Sequence, residues 1–101
     1  MNILLIDTRD SEKINVAFER DGERFELASI RAKSQVTLSL IEKLFKKHHI
    51  SLSDIDHIQV EKGPGSFTGL KVGMAIANAL SFSLLVPVNK RELGEVEVPQ
   101  Y

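Results

Sequence analysis

Gly63-Pro64-Gly65-Ser66-Phe67-Thr68-Gly69 is the stretch of this chain whose residue types are best suited to chemistry. Glycine accepts positive φ and the close approach of other groups, and proline fixes φ while donating no hydrogen bond. The turn follows an apolar run, Ile58-Gln59-Val60, and opens a long segment, Ser66 to Leu85, whose only charge is Lys71. A strand, a glycine-rich turn and a helix in that order expose amides at a helix start, where a phosphate can bind. Gly63, Gly65, Ser66, Thr68 and Gly69 would form such a site, joined by Asp7 at the end of the first strand, the edge of an open sheet where ligands gather. The alternative is that the turn only redirects the chain and that Asp7 caps its own turn through Thr8 and Arg9. Two known phosphate patterns do not fit. Gly69 is followed by Leu70 where a Walker sequence needs lysine, and Thr68 stands where the G-x-G-x-x-G spacing needs its third glycine.

No catalytic set accompanies the turn. The histidines are His48, His49 and His57; the adjacent pair would point about 100° apart on a helix and makes a poor metal clamp. Ser66, His57 and Asp7 could be written as a triad, but no spacing fixes their geometry, and they read as surface polar groups. The chain has no cysteine, which excludes disulfides, zinc thiolates and a thiol nucleophile and suits a cytoplasmic location. The residues imply no catalytic residue, metal or cofactor.

The elements that must position the turn are legible from periodicity. Ile3 to Asp7 is a short apolar run of the kind found in a central strand. Lys13 to Arg20 alternates, with Ile14, Val16 and Phe18 on one side. Asp21-Gly22 is a two-residue hairpin signal, and Glu23 to Arg31 follows with Phe25 and Leu27 inward. Ser34 can cap a helix running to about His48. Ser51-Leu52-Ser53-Asp54 is a connection holding one turn at most, Ile55 to Glu61 a fourth strand, and Leu85-Val86-Pro87-Val88 a last short one. With 101 residues, 43% hydrophobic and 27% charged, this is one small α/β domain over residues 1–91, with a tail at 92–101.

A formal net charge of −1 gives no support to a nucleic-acid surface. The basic cluster Lys43, Lys46, Lys47, His48 and His49 sits where a helix end favours cations. No segment reads as a signal peptide. Lys71, Asn78 and the glycines and serines dilute the second helix, which therefore reads as no membrane span.

That helix carries small residues four apart, Gly69, Gly73, Ala77 and Ser81, a stripe that admits a close neighbour, either a helix or a sheet. Its other positions are apolar nearly all round, more than two helices and a small sheet can cover. Either another chain covers the excess, or the first helix and the tail do. On the first reading the expected contact comprises Val36, Leu40, Ile41 and Leu44 of the first helix with Gly69, Gly73, Met74, Ala77 and Ser81 of the second.

Ile3-Leu4-Leu5-Ile6-Asp7-Thr8, Leu52-Ser53-Asp54-Ile55-Asp56, Gly63 to Gly73 and Val86-Pro87-Val88, in that order, resemble the amino-terminal half of the TsaB family of tRNA threonylcarbamoyladenosine biosynthesis proteins. The match covers residues 1 to 93, and the glycine-phenylalanine motif is its specific part. The resemblance implies an actin-like, ribonuclease H-like half: three antiparallel strands, then helix, strand, helix and strand in a mixed sheet. It implies a noncatalytic subunit that binds the catalytic paralogue TsaD, or a second copy of itself, through its two amino-terminal helices. Arg9 stands where the family usually has serine, Gln35 where it has glutamate and Lys71 where it has arginine. The family's second domain has no counterpart here, so a nucleotide cleft between two domains is not expected.

Overall fold

The computed structural model describes residues 1–30, 36–89 and Val98. Strands β1 (Ile3–Asp10), β2 (Lys13–Arg20) and β3 (Glu23–Ile30) form an antiparallel meander; helix α1 (Thr37–Lys47), strand β4 (His57–Val60) and helix α2 (Phe67–Leu84) follow. The sheet order is β3-β2-β1-β4, with β4 parallel to β1. This is the expected mixed sheet. The β2–β3 hairpin closes at Asp21 and Gly22 with φ of 50° and 83°, the positive pair that matches strand twist.

Four boundaries differ from the sequence reading, among them β4, which spans His57–Val60 and not Ile55 to Glu61 because Ile55 closes the preceding turn. β1 runs on to Asp10 because its pairing with β2 resumes after a register shift between Asp7 and Asp10. The last strand is reduced to one bridge, Val88 to Ile58. Pro87 has no amide to give, and Leu85 ends α2 in the left-handed region at φ 57°, so only a short stretch is extended. Asn89 completes the edge with its side chain: it accepts from the Val60 amide at 2.8 Å and donates to the Val60 carbonyl at 3.1 Å. α1 has Val36 at its N-cap and no side-chain cap there. Ser34, Gln35, the end of the third strand at Arg31 and the tail at 92–101, Val98 apart, lie outside the described residues.

Both helices lie on one face of the sheet. Leu4, Ile6 and Thr8 of β1, Ile14, Val16 and Phe18 of β2, and Ile58 and Val60 of β4 all point there and are buried. α1 covers β2 and β3, and α2 covers β1 and β4. Phe18 and Phe45 meet edge to face at 5.4 Å, joining β2 to α1. The opposite face, with Leu5, Asp7, Asn15, Ala17 and Glu26, carries no helix among the described residues.

Candidate functional site

The glycine turn is locked onto the end of β1. The Ser66 amide donates to the Arg9 carbonyl at 2.8 Å, and the Ser66 hydroxyl accepts from the Gly69 amide at 3.2 Å, capping α2. The Thr8 hydroxyl, fully buried, donates to the Gly69 carbonyl at 2.7 Å. A methyl group on Gly65 would stand 2.7 Å from the Arg9 carbonyl oxygen; on Gly69 it would overlap the Thr8 carbonyl oxygen, and on Gly73 the Thr8 hydroxyl. Gly63 has φ 119° and precedes a cis Pro64. Every glycine of the motif thus has a steric or conformational reason to be glycine. The small stripe admits a sheet, and Thr8 is the residue it admits. Sequence reasoning gave Thr8 only a part in a turn; its place beside Asp7 at a strand end was the available signal.

The structure separates Asp7 from the helix start. Asp7 lies on the open sheet face, in a concavity of about 960 Å³ lined also by Asn15, Glu26, Glu61, Lys62 and Asn89. None of Gly63, Gly65, Ser66, Thr68 and Gly69 lines it. The Asp7 carboxylate accepts from the Arg9 amide at 3.1 Å and from the Arg9 side chain at 3.0 and 2.9 Å, and Arg9 also approaches Glu61 at 3.8 Å. Burial pushes the Asp7 carboxyl up, but the Arg9 hydrogen bonds and the charges of Arg9 and Lys13 outweigh it and hold the group below the usual carboxylate range. The carboxylate is thus answered within its own strand. Arg9, one of the three departures noted above, supplies that answer.

The packing places most of the expected contact set inside the fold. Leu40, Ile41 and Leu44 of α1, and Gly69, Gly73, Met74, Ala77 and Ser81 of α2, are buried in the chain's own interior. The reason is geometric: small residues let α2 sink onto β1, so the stripe is consumed inside the fold. Ser81 is spent the same way, its hydroxyl donating to the Val86 carbonyl. Val36 alone of the set remains exposed.

What α2 leaves outside is its other face. Val72 is half-buried, and Ala75, Ala79 and Phe82 are exposed, Phe82 by 85%. These recur at helical spacing, and Lys71, placed over the Phe67 ring at 5.1 Å, is the one charge on the helix. A helix face in water is ordinarily charged; α1 shows the contrast with Glu42, Lys43, Lys46 and Lys47 outward. α2 is long and apolar enough to cross a membrane, but its inner stripe lies on β1 and β4 as a core helix does.

Residues 11–90 match the family described as TsaD: tRNA N6-adenosine threonylcarbamoyltransferase. The chain is 36% identical over 91 residues to the tRNA threonylcarbamoyladenosine biosynthesis protein TsaB of Escherichia coli, covering 87% of this chain and 38% of that protein. It is 43% identical over 63 residues to the tRNA N6-adenosine threonylcarbamoyltransferase of Bacillus subtilis, covering 62% of this chain and 18% of the relative. Among solved structures, YeaZ from Pseudomonas aeruginosa superposes with a TM-score of 0.83 at 27% identity, over 91% of this chain and 45% of that one. The chain therefore spans less than half the length of these relatives. By the span of residues 11–90 it belongs to the TsaD family of tRNA N6-adenosine threonylcarbamoyltransferases, and within that family it is TsaB-like.

Proposed function

We propose that this chain serves tRNA threonylcarbamoyladenosine biosynthesis as a noncatalytic, cytoplasmic subunit. It docks through the outer face of α2 onto a TsaD-like catalytic protein or onto a second copy of itself. The observation that carries the reading is the outward face of α2, with half-buried Val72, exposed Ala75, Ala79 and Phe82, and Lys71 as its one charge, on a helix whose inner face is already packed. The likeness to TsaB supplies the pathway. The pairing of Asp7 with Arg9 supports the noncatalytic part, since the carboxylate at the strand end is engaged by its own neighbour. The glycine turn serves this reading as the joint that fixes α2 to β1.

The test is co-expression of the tagged chain with the TsaD-like protein of the same organism, followed by capture. Wild type is expected to retain it. Ala79→Arg and Phe82→Asp are expected to lose it while shifting the melting temperature by less than about 3 °C, as surface substitutions do. Capture unaffected by both overturns the docking face. The purified chain is also expected to hydrolyse no ATP, and a rate abolished by Asp7→Ala would overturn the noncatalytic assignment.

A further inference from the structure

The two edges of the sheet are finished differently. On β4, the Val60 amide and carbonyl are taken by the Asn89 side chain, while the Ile58 amide donates to Pro87 and its carbonyl accepts from Asn89. On β3, nothing among the described residues pairs with the outer edge. β3 is eight residues long, has no proline, and pairs with β2 without a bulge from Glu23 to Ile30. The two-residue turn at Asp21-Gly22 closes on the pair Arg20–Glu23, and hydrogen-bonded pairs alternate from there. The main-chain groups of Glu23, Phe25, Leu27 and Ser29 therefore point to β2, and those of Arg24, Glu26, Ala28 and Ile30 point out.

We infer that β3 pairs antiparallel with β3 of a second copy, about a two-fold axis at Phe25. Parity limits the choice. Outward groups must meet outward groups, so the axis passes through a residue of β3 and not between two of them. An axis at Glu26 sets Glu26 against its own copy. An axis at Phe25 sets Arg24 opposite Glu26 of the second copy, and Glu26 opposite Arg24 of it, as two hydrogen-bonded pairs of opposite charge. Arg24 already bonds Glu26 on its own strand and Glu19 at 3.3 Å on β2, so the four charges at the axis alternate in sign. On the helix face the same register brings Phe25 against its copy, and Phe25 is half-buried, stacked on His48 at 4.3 Å. Both faces of the edge are thus self-complementary in this register. The contact lies on the opposite edge of the sheet from β4 and leaves the outer face of α2 free, so it is independent of the docking proposed above.

The experiment is run in Phe82→Arg, which removes association through α2. Sedimentation from low to high micromolar concentration is expected to show a monomer–dimer equilibrium. Arg24→Glu places like charges at both pairs and is expected to weaken the dimer roughly tenfold. Arg24→Glu with Glu26→Arg is expected to restore it. The sequence has no cysteine, so Phe25→Cys reports register: oxidation should give a disulfide dimer, and Leu27→Cys should not. A monomer throughout, a dimer indifferent to Arg24→Glu, or cross-linking at residue 27 in place of 25 overturns the proposal. Circular dichroism checks that each variant is folded, and the charge swap decides if Phe25→Cys is not. Failure of the α2 reading shows instead in the capture assay.

Discussion

Gly69 and Gly73 differ in what stands against them, and the difference is testable. At Gly69 the obstacle to a side chain is the Thr8 carbonyl oxygen; at Gly73 it is the Thr8 hydroxyl. Gly69→Ala is expected to cost about 1–3 kcal/mol, since a main-chain atom of the central strand must move. Gly73→Ala should cost less, because its obstacle is a side-chain hydroxyl and not a main-chain atom of the strand. Thr8→Ala should relieve Gly73→Ala and leave Gly69→Ala unrelieved, a pattern that a double-mutant cycle in urea would read directly. Equal relief at both would mean that the overlap at Gly69 is not with the backbone. Asp7 sets the pH response at this scale. Its carboxyl is held below the ordinary range in the fold, so its contribution is present above the unfolded value and is lost as pH falls through the folded one. Arg9→Ala should therefore flatten the acid side of a stability–pH curve. An unchanged slope would show that the Asp7–Arg9 pair does not couple to folding.

At the scale of elements, β4 is too short to hold an edge by itself, with four residues and one isolated bridge beyond it. The Asn89 side chain stands in for the strand residue that Pro87 and the left-handed end of α2 rule out. Asn89→Ala removes both bonds to Val60 and should cost about 1–3 kcal/mol, with faster hydrogen exchange at the Val60 amide. Asn89→Asp keeps an acceptor for that amide and should protect it better than alanine does. Equal exchange in the two variants would show that the carboxamide does not hold the edge. The first helix is organised differently: Leu40, Ile41, Leu44 and Phe45 sink onto β2 and β3, and its outer side carries Glu42, Lys43, Lys46 and Lys47 beside the exposed Leu38. α2 is the element whose composition exceeds its packing.

At the scale of the whole molecule, one face of the sheet holds both helices and the other is a concavity of mixed lining. Asp7, Asn15 and Glu61 stand in that concavity, on the face opposite the glycine stripe. The succession of elements along the chain, the hairpin at Asp21-Gly22, both helices and the structural value of the glycine motif were legible in the sequence. Each rests on local information: alternation of period two, an apolar stripe of period 3.6, and residues that allow special φ. The TsaB-like character was legible too, because the glycine-phenylalanine motif is specific. Which side of each helix is buried was not. Periodicity says that Leu44, Met74 and Ala77 are apolar, and it is silent on which apolar side meets the sheet. The tertiary structure decided that, because the small residues of α2 let it approach β1 until the Thr8 hydroxyl meets Gly73. Once that side was buried, the side bearing Ala75, Ala79 and Phe82 was left outside. The same distinction applies to Asp7. Its position at a strand end is a sequence fact, but the pleat turns adjacent side chains to opposite faces, so Asp7 and Thr8, neighbours in the chain, serve different surfaces.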